Sequence, residues 1–505
     1  MSEPREAQAR LSRLGRWAGP LAFLALLLAP RLGLELGLDE AQRLTAAAVA
    51  WTALWWLTEA VPIGAASLLP AVLLPATAVL GAREVAGAYM NDLILLFLGA
   101  FFLAFLLERW GLHRRIALEI AGRVGARPRR LVLGFILAAM LLSMWLNNTA
   151  CALMLMPIAD AVVGAVDPPE SGRRRSAFGA ALMLGLAYAC SVGGMLTPVG
   201  TAPNQVLLGQ LAQRFPERDE IGFHQWMLAT LPIGLLFVPA CWWILTRFAL
   251  RVEGESLAGA AVLDAERRAL GSMGAPERRA AWVFAAAVFG WVFRTDLELG
   301  LFTVPGWERL LPDPELELSN STVALALALL CFLLPSGAPS GGTLLDWDTA
   351  RKVPLDVLLL LGGGFALAEG IQTSGLDSVL AQGLAPLLED LPRWLALALL
   401  VLLVSALTEV TSNVATTQVI LPVLAGAAAA AGDDPVLWML PATLAASCAF
   451  MLPVGTPPNA IVITTGRLQV VTMARVGVWM NLLMLVVIAV VCELWIVPLL
   501  GLERG

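Results

Sequence analysis

Long apolar runs separated by short polar breaks fill most of this chain. They fall at 17–30, 40–57, 62–81 and 91–108, then in one long block at 129–166. Others follow at 176–198, 203–214, 225–248, 279–294, 319–335, 353–370, 394–430, 436–454, 457–467 and 474–498. A helix crosses a bilayer with about 20 apolar residues, and several of these runs are shorter. The pattern predicts an all-α polytopic membrane protein. Composition agrees: of 505 residues, 58% are hydrophobic and 14% charged, against roughly 25% charged in soluble domains. The mean hydropathy is +0.77. An ordinary soluble enzyme and a disordered chain are excluded, and a net charge of −6 excludes a nucleic-acid binder. The length leaves room for about ten to twelve crossings.

The breaks sort by charge. Arg5, Arg10, Arg13 and Arg16 head the chain. Arg114, Arg115, Arg123, Arg127, Arg129 and Arg130 fill one break, and Arg173, Arg174 and Arg175 another. The loop 247–279 adds Arg247, Arg251, Arg267, Arg268, Arg278 and Arg279. The loop 295–318 is acidic instead, with Asp296, Glu298, Asp313, Glu315 and Glu317. The positive-inside rule places the N-terminus and the basic loops in the cytoplasm and 295–318 outside. The chain then divides into a cytoplasmic tail at 1–16, a first part at 17–250, a cytoplasmic loop at 251–278, a second part at 279–498 and a tail at 499–505.

Other local signals are weaker. No small-residue cleavage site marks the N-terminus, so 17–30 reads as the first membrane helix and not a removed signal. Gly111–Val124 is amphipathic, with Leu112, Ile116, Ala117 and Ile120 on one face. A helix along the membrane surface and a plain connecting helix both fit. The six cysteines lie apart within apolar runs and read as buried small hydrophobes. Two histidines, His113 and His224, are too few for a His-rich metal centre. The 17 tryptophans, Trp55-Trp56 and Trp242-Trp243 among them, read as interface anchors.

Three pieces of sequence recur in order. Gly99-Ala-Phe-Phe-Leu-Ala returns 264 residues on as Gly363-Gly-Phe-Ala-Leu-Ala. Asn147-Asn-Thr-Ala returns 265 on as Ser412-Asn-Val-Ala, and Gly200-Thr-Ala-Pro-Asn returns 255 on as Gly455-Thr-Pro-Pro-Asn. Two halves, 40–250 and 279–498, therefore form an internal repeat. The counterpart of the basic His113-Arg114-Arg115, within 370–377, has no basic residue, which favours opposite orientation of the halves. Inverted repeats with interrupted helices mark transporters, with the substrate at the repeat interface near mid-membrane.

The repeated motifs carry the chemistry. The stretch 131–146 is 16 residues, about 24 Å of helix, short of the roughly 30 Å hydrocarbon core. Asn147, Asn148 and Thr149 follow, then another apolar run. Either one long tilted helix carries a polar patch, or two half-helices meet as a re-entrant hairpin with its tip beside protein or a wet cavity. The stretch 394–430, with Thr408, Thr411, Ser412 and Asn413, poses the same choice. In the Gly-Thr-x-Pro-Asn copies, Gly breaks a helix and Thr201 or Thr456 caps the next. Pro457 suits the first helical position, and in the other copy Ala202 takes that place and Pro203 the next. Each half thus holds a helix that stops and restarts in mid-membrane. Restarted helices offer unpaired amides and partial positive charge to an anion. Unwound carbonyls and Asn, Ser and Thr oxygens suit a hard monovalent cation such as Na+. The plain alternative is that these residues only bond helices together. Glu59, Asp92, Asp160 and Glu409 lie in or beside apolar stretches, as proton relays, helix-end charges or partners of an Arg.

At these motifs the chain resembles the divalent anion:sodium symporters, a family of bacterial dicarboxylate and mammalian citrate and dicarboxylate carriers. The likeness is carried by Met144-Trp-Leu-Asn-Asn-Thr-Ala, Gly200-Thr-Ala-Pro-Asn, Thr408-Glu-Val-Thr-Ser-Asn-Val-Ala-Thr-Thr and Gly455-Thr-Pro-Pro-Asn-Ala. Glu59-Ala-Val-Pro, Phe97-Leu-Gly and Glu108-Arg-Trp-Gly-Leu-His are also similar, and the likeness runs from about 40 to 498. It implies about eleven transmembrane helices, two re-entrant helical hairpins at 129–166 and 394–430, an inverted two-fold repeat, a homodimer and elevator-type movement. It implies secondary active transport of divalent organic anions, C4-dicarboxylates or citrate, coupled to Na+, by a multi-pass protein of the inner (plasma) membrane. No cofactor is implied beyond the coupling ion. A Na+-independent dicarboxylate exchanger and a sulfate transporter are the alternatives within the family.

Carried over position by position, the resemblance puts a first sodium site at Ser143, Asn147, Asn148 and the Gly200 carbonyl. It puts a second at Thr408, Thr411, Asn413 and the Gly455 carbonyl. The substrate would meet Asn148, Thr149, Thr201, Asn413, Val414 and Thr456. The chain departs twice from the family's usual Ser-Asn-Thr: Asn147 brings an amide where a hydroxyl is usual, and Val414 removes a hydroxyl. An enzyme would need a nucleophile–base pair or a metal motif. The sequence has no GxSxG, no HExxH and no His near a membrane Ser. A channel needs a continuous pore, which interrupted, inverted halves fit less well than alternating access.

Overall fold

Helices account for nearly all regular structure in the computed structural model. It describes every residue except 1–2, 35, 168–175, 255–257, 299–302, 314–315, 317, 340, 381, 383–390 and 503–505. Arg173, Arg174, Arg175, Glu315 and Glu317 of the charge argument, and the end of the C-terminal tail, lie outside the described residues. In chain order the helices are α1 (Glu3–Leu28), α2 (Glu40–Thr58), α3 (Ile63–Ala66), α4 (Leu69–Ala76), α5 (Ala82–Ala88), α6 (Asp92–Arg109) and α7 (Leu112–Val124). Then come α8 (Pro128–Ser143), α9 (Asn148–Val166), α10 (Ala177–Met195), α11 (Ala202–Arg214), α12 (Phe223–Trp243), α13 (Ala258–Leu270) and α14 (Ala275–Val292). The rest are α15 (Asn320–Leu333), α16 (Trp347–Ala350), α17 (Leu355–Thr373), α18 (Arg393–Thr408), α19 (Asn413–Ala431), α20 (Val436–Ala446), α21 (Pro457–Thr464), α22 (Val470–Val491) and the short α23 (Val497–Leu499). A small antiparallel ribbon pairs Leu297–Glu298 with Thr303–Val304 in the acidic loop. Among the described residues, seven helices are long and apolar enough to cross a membrane, and four more are apolar but shorter. The fold is that of an all-helical multi-span membrane protein.

The two long apolar blocks each divide at their polar triplet. The first stops at Ser143 and restarts at Asn148, and the second stops at Thr408 and restarts at Asn413. Helix α10 packs against both α8 and α9, and every residue from Phe178 to Met195 is buried. Its glycines and alanines let neighbouring backbones approach closely. The restarted helices cross between the halves. Helix α11 packs on α17, α19 and α20, while α21 packs on α9 and α10.

Arginines pin these crossings. Arg214, at the end of α11, donates to Asp377 at 2.6 Å and to the Pro422 carbonyl of α19 at 3.3 Å. Arg467, just after α21, donates to Asp160 of α9 at 2.8 Å. Other polar contacts tie distant loops together. Arg114 pairs with Glu266, Arg115 with Glu277, and Arg129 donates to the Val252 carbonyl. Arg294 pairs with Glu220, and Arg218 with Asp434.

Several expectations are corrected here. The run 62–81 is not one helix: Trp56 and Tyr89 both donate to Ser67, the indole to its hydroxyl and the phenol to its carbonyl, where the chain turns before Pro70. Trp56 is therefore fully buried and no interface anchor, whereas Trp243 is 53% exposed. Helix α1 begins at Glu3, inside the stretch expected as a tail, and Ser12 and Arg16 donate to the carbonyls of Glu59 and Ala60. Helix α7 lies between α8 and α13, so it buries Leu112, His113, Ala117, Leu118 and Ala121, a face rotated from the one the pattern gave.

Candidate functional site

The first break is shaped by its own side chains. Asn147 caps α9, its oxygen accepting the Thr149 amide at 2.8 Å. Ser143 Oγ, on the last turn of α8, lies 2.7 Å from Asn148 Oδ1 and 2.8 Å from the Cys190 carbonyl. A Cβ on Gly194 would fall 2.6 Å from Asn148 Oδ1 and 3.2 Å from the Gly200 carbonyl oxygen. Those two oxygens thus flank the bare α-carbon of Gly194. Asn204 holds the unwound segment, donating to the carbonyls of Gly194 and Thr197 at 3.0 and 2.7 Å. The Ser143 hydroxyl thus links Asn148 Oδ1 to the Cys190 carbonyl, and the Gly200 carbonyl oxygen lies on the Gly194 side of that same Asn148 oxygen.

The second half repeats this almost atom for atom. Thr408 Oγ1 lies 2.7 Å from the Asn413 amide and 2.7 Å from the Ala446 carbonyl. The same amide atom is 3.1 Å from the Gly455 carbonyl and 3.2 Å from that of Ala446. Turned oxygen-in, the amide joins three other oxygens that share the one Thr408 hydrogen, an arrangement a cation would reconcile. Turned nitrogen-in, its two hydrogens have all three within donating distance. The uncharged oxygen set fits a hard monovalent ion. Asn459 takes the part of Asn204, donating to the carbonyls of Ala449 and Leu452 at 2.9 and 3.0 Å.

The remaining expected residues divide. Thr201 and Thr456 sit at the N-caps of α11 and α21, but neither hydroxyl bonds its own helix. Thr149 and Asn147 line a cavity of 730 Å³ with Phe101, Glu108, His113 and Lys352. His113 Nδ1 lies 2.9 Å from the Leu107 carbonyl, and burial holds its imidazole below the ordinary histidine range despite that bond. The Thr411 hydroxyl meets the Leu407 carbonyl and the Thr416 hydroxyl, each at 2.7 Å. Val414 packs on apolar neighbours. The Cys190 and Ala446 carbonyls were missed, because a backbone carbonyl leaves no mark in a sequence. Of the four carboxylates, Asp92 accepts from Ser319 and Ser321, Asp160 pairs with Arg467, and Glu59 ends α2 with φ 47°. Glu409 accepts backbone amides.

A profile of the sodium:sulfate symporter transmembrane region matches residues 16–502. The sodium-dependent dicarboxylate transporter SdcS of Staphylococcus saprophyticus is 38% identical over 496 residues, 97% of this chain and 92% of that protein. SdcS of Staphylococcus aureus is 38% identical over 459 residues, 90% of this chain and 86% of that one. Among solved structures, the YdaH transporter of Alcanivorax borkumensis is similar with a TM-score of 0.57 at 15% identity, covering 86% of this chain and 98% of its own. MtrF of Neisseria gonorrhoeae gives 0.56 at 13% identity, covering 84% of each. At such identities the two structures speak for the fold alone. The relatives and the motifs agree: this chain is a multi-pass membrane transporter, not an enzyme, and it belongs to the sodium:sulfate symporter family.

Proposed function

We propose that this chain is a Na+-coupled symporter of C4-dicarboxylates, and that the two oxygen cages are its sodium sites. The carrying observation is the cage built twice, from Ser143, Asn148 and the Cys190 and Gly200 carbonyls, and from Thr408, Asn413 and the Ala446 and Gly455 carbonyls. Each cage adjoins a restarted helix whose N-terminal amides attract a carboxylate. Thr149, Thr201 and Thr456 supply hydroxyls on the substrate side, and Val414 an apolar wall. The names of the relatives support dicarboxylate over other anions.

Each asparagine amide has two ends, and that couples the ligands. With no cation, Asn413 turns its nitrogen into the cage and its oxygen toward the substrate's carboxylate, which it repels. A cation draws the oxygen inward and swings the NH2 outward as a donor. The pair of helices α8–α9 is read as one re-entrant hairpin and α18–α19 as the other, within about eleven crossings. Their inverted orientation is supported by the loop contacts. Arg129, at the start of α8, meets Val252 in the basic loop, while Asp434, just after α19, meets Arg218 beside the Glu220–Arg294 pair. The N-terminus is assigned to the cytoplasm of an inner-membrane protein. A homodimer and elevator movement of α8–α11 and α18–α21 complete the reading.

The test is competition in liposomes. Labelled succinate uptake is measured with unlabelled succinate, malate, fumarate, citrate or sulfate present, in sodium and in choline. Uptake is expected in sodium alone, with the C4-dicarboxylates displacing the label at the lowest concentrations. Sulfate displacing it better than every carboxylate would shift the substrate to the inorganic anion. No uptake across the panel would end the carboxylate reading.

A further inference from the structure

The two cages match oxygen for oxygen and differ by one charge nearby. Thr408 is followed by Glu409 where Ser143 is followed by Met144. In the first half the break after α10 is held by neutral groups: the Thr197 hydroxyl donates to the Met144 carbonyl. In the second half Leu452 stands where Thr197 would, and Glu409 does the holding. Its Oε1 accepts the amides of Phe450 and Met451 at 2.7 and 2.8 Å, and its Oε2 those of Met451 and Leu452 at 3.0 and 2.9 Å. Asn481 Nδ2, from α22, donates to Oε1 at 2.9 Å. Gly477 lets α22 press onto this break, since a Cβ there would fall 2.3 Å from the Phe450 carbonyl oxygen.

All four neighbours are donors, the complement of a carboxylate, with no acceptor for a carboxylic O–H. Glu409 is 5% exposed, and among the described residues its partners include no basic side chain. A buried charge without a basic partner is costly even when it is hydrogen-bonded. It sits beside the cage. Glu409 adjoins Thr408, and a Cβ on Gly455 would fall 3.1 Å from its carbonyl oxygen and 3.2 Å from its Cα.

We infer that Glu409 is the fixed counter-charge of the second cage: it raises cation affinity there and repels the substrate's carboxylate until a cation arrives. This rests on reading the cages as sodium sites. The two sites are then unequal, the second binding sodium more tightly than the first.

The test uses the full chain in liposomes, with sodium chloride and labelled succinate as probes. Glu409→Gln keeps the size and one acceptor oxygen. Its half-saturating sodium concentration is expected to rise about tenfold or more, with succinate binding in choline stronger than in wild type. A residue that only props the backbone would lower the maximal rate and leave half-saturation in place. Unchanged sodium dependence in Glu409→Gln, with a shift in Thr408→Ala, overturns the counter-charge and leaves the cages standing. No shift in either variant ends the cage reading itself. Should Glu409→Gln not fold, single-cage variants decide. Ser143→Ala, which leaves the second cage intact, should half-saturate at about tenfold less sodium than Thr408→Ala, and equal or reversed values overturn the proposal.

Discussion

Asn148→Ala and Asn413→Ala should each weaken sodium and dicarboxylate together, by about 5- to 150-fold in half-saturating concentration. The pairing of the two effects is the point. Asn148 Oδ1 faces Ser143 Oγ at 2.7 Å, and Asn413 faces Thr408 Oγ1 at the same distance. Alanine removes the cage oxygen and the outward NH2 in one step. Buried hydroxyls and carbonyls left without a partner cost about 1–3 kcal/mol, which sets the expected range. Uptake kinetics on folded, membrane-inserted variants check it. Unchanged half-saturation for both ligands would make the asparagines helix-to-helix ties and nothing more.

The second large effect belongs to Gly194→Ala. A Cβ there falls 2.6 Å from Asn148 Oδ1, closer than real side chains approach. The helix cannot retreat, because α10 is buried from Phe178 to Met195. Alanine is otherwise the better helix former by about 1 kcal/mol. The variant should therefore fold with near-normal thermal stability, while the Asn148 amide is pushed out of the first cage. Uptake is expected to fall about 100-fold, with sodium dependence left only from the second cage. The second half already has Ala449 at the matching offset, where its Cβ lies 2.8 Å from the Cβ position of Gly455. Wild-type uptake from Gly194→Ala would show that the first cage does not depend on this spacing.

The membrane helices and the side chains that meet at the two breaks were legible because they leave local marks. Apolar runs read directly along the chain, and glycine and proline at the restarts and a repeated Asn-Thr or Asn-Val after a helix end each lie within a few residues. What stayed hidden depends on partners far along the chain. Arg214 meets Asp377, and Arg467 meets Asp160, across separations of 163 and 307 residues. The Cys190 and Ala446 carbonyls complete the cages without any residue preference. Asn147 has a second task that its sequence position alone does not single out: its oxygen caps α9. Thr411, in the break itself, bonds back to the Leu407 carbonyl of α18 and to the Thr416 hydroxyl of α19. Glu409 stands at the C-terminal end of α18, as an end charge would, and no Arg pairs with it among the described residues. It caps a broken backbone more than 40 residues away, as the separations of 41 to 43 residues record.

Concentrative uptake tests the central claim most directly, that two cages on one site couple sodium to a dicarboxylate. Wild-type protein is placed in liposomes with an inward sodium gradient and no other ion gradient, and internal labelled succinate is followed while external sodium is varied. The account predicts accumulation above the external concentration, a sigmoidal dependence on sodium because more than one ion binds, and collapse when sodium is equalised. Equal uptake with choline in place of sodium, or a purely hyperbolic sodium dependence, would contradict it.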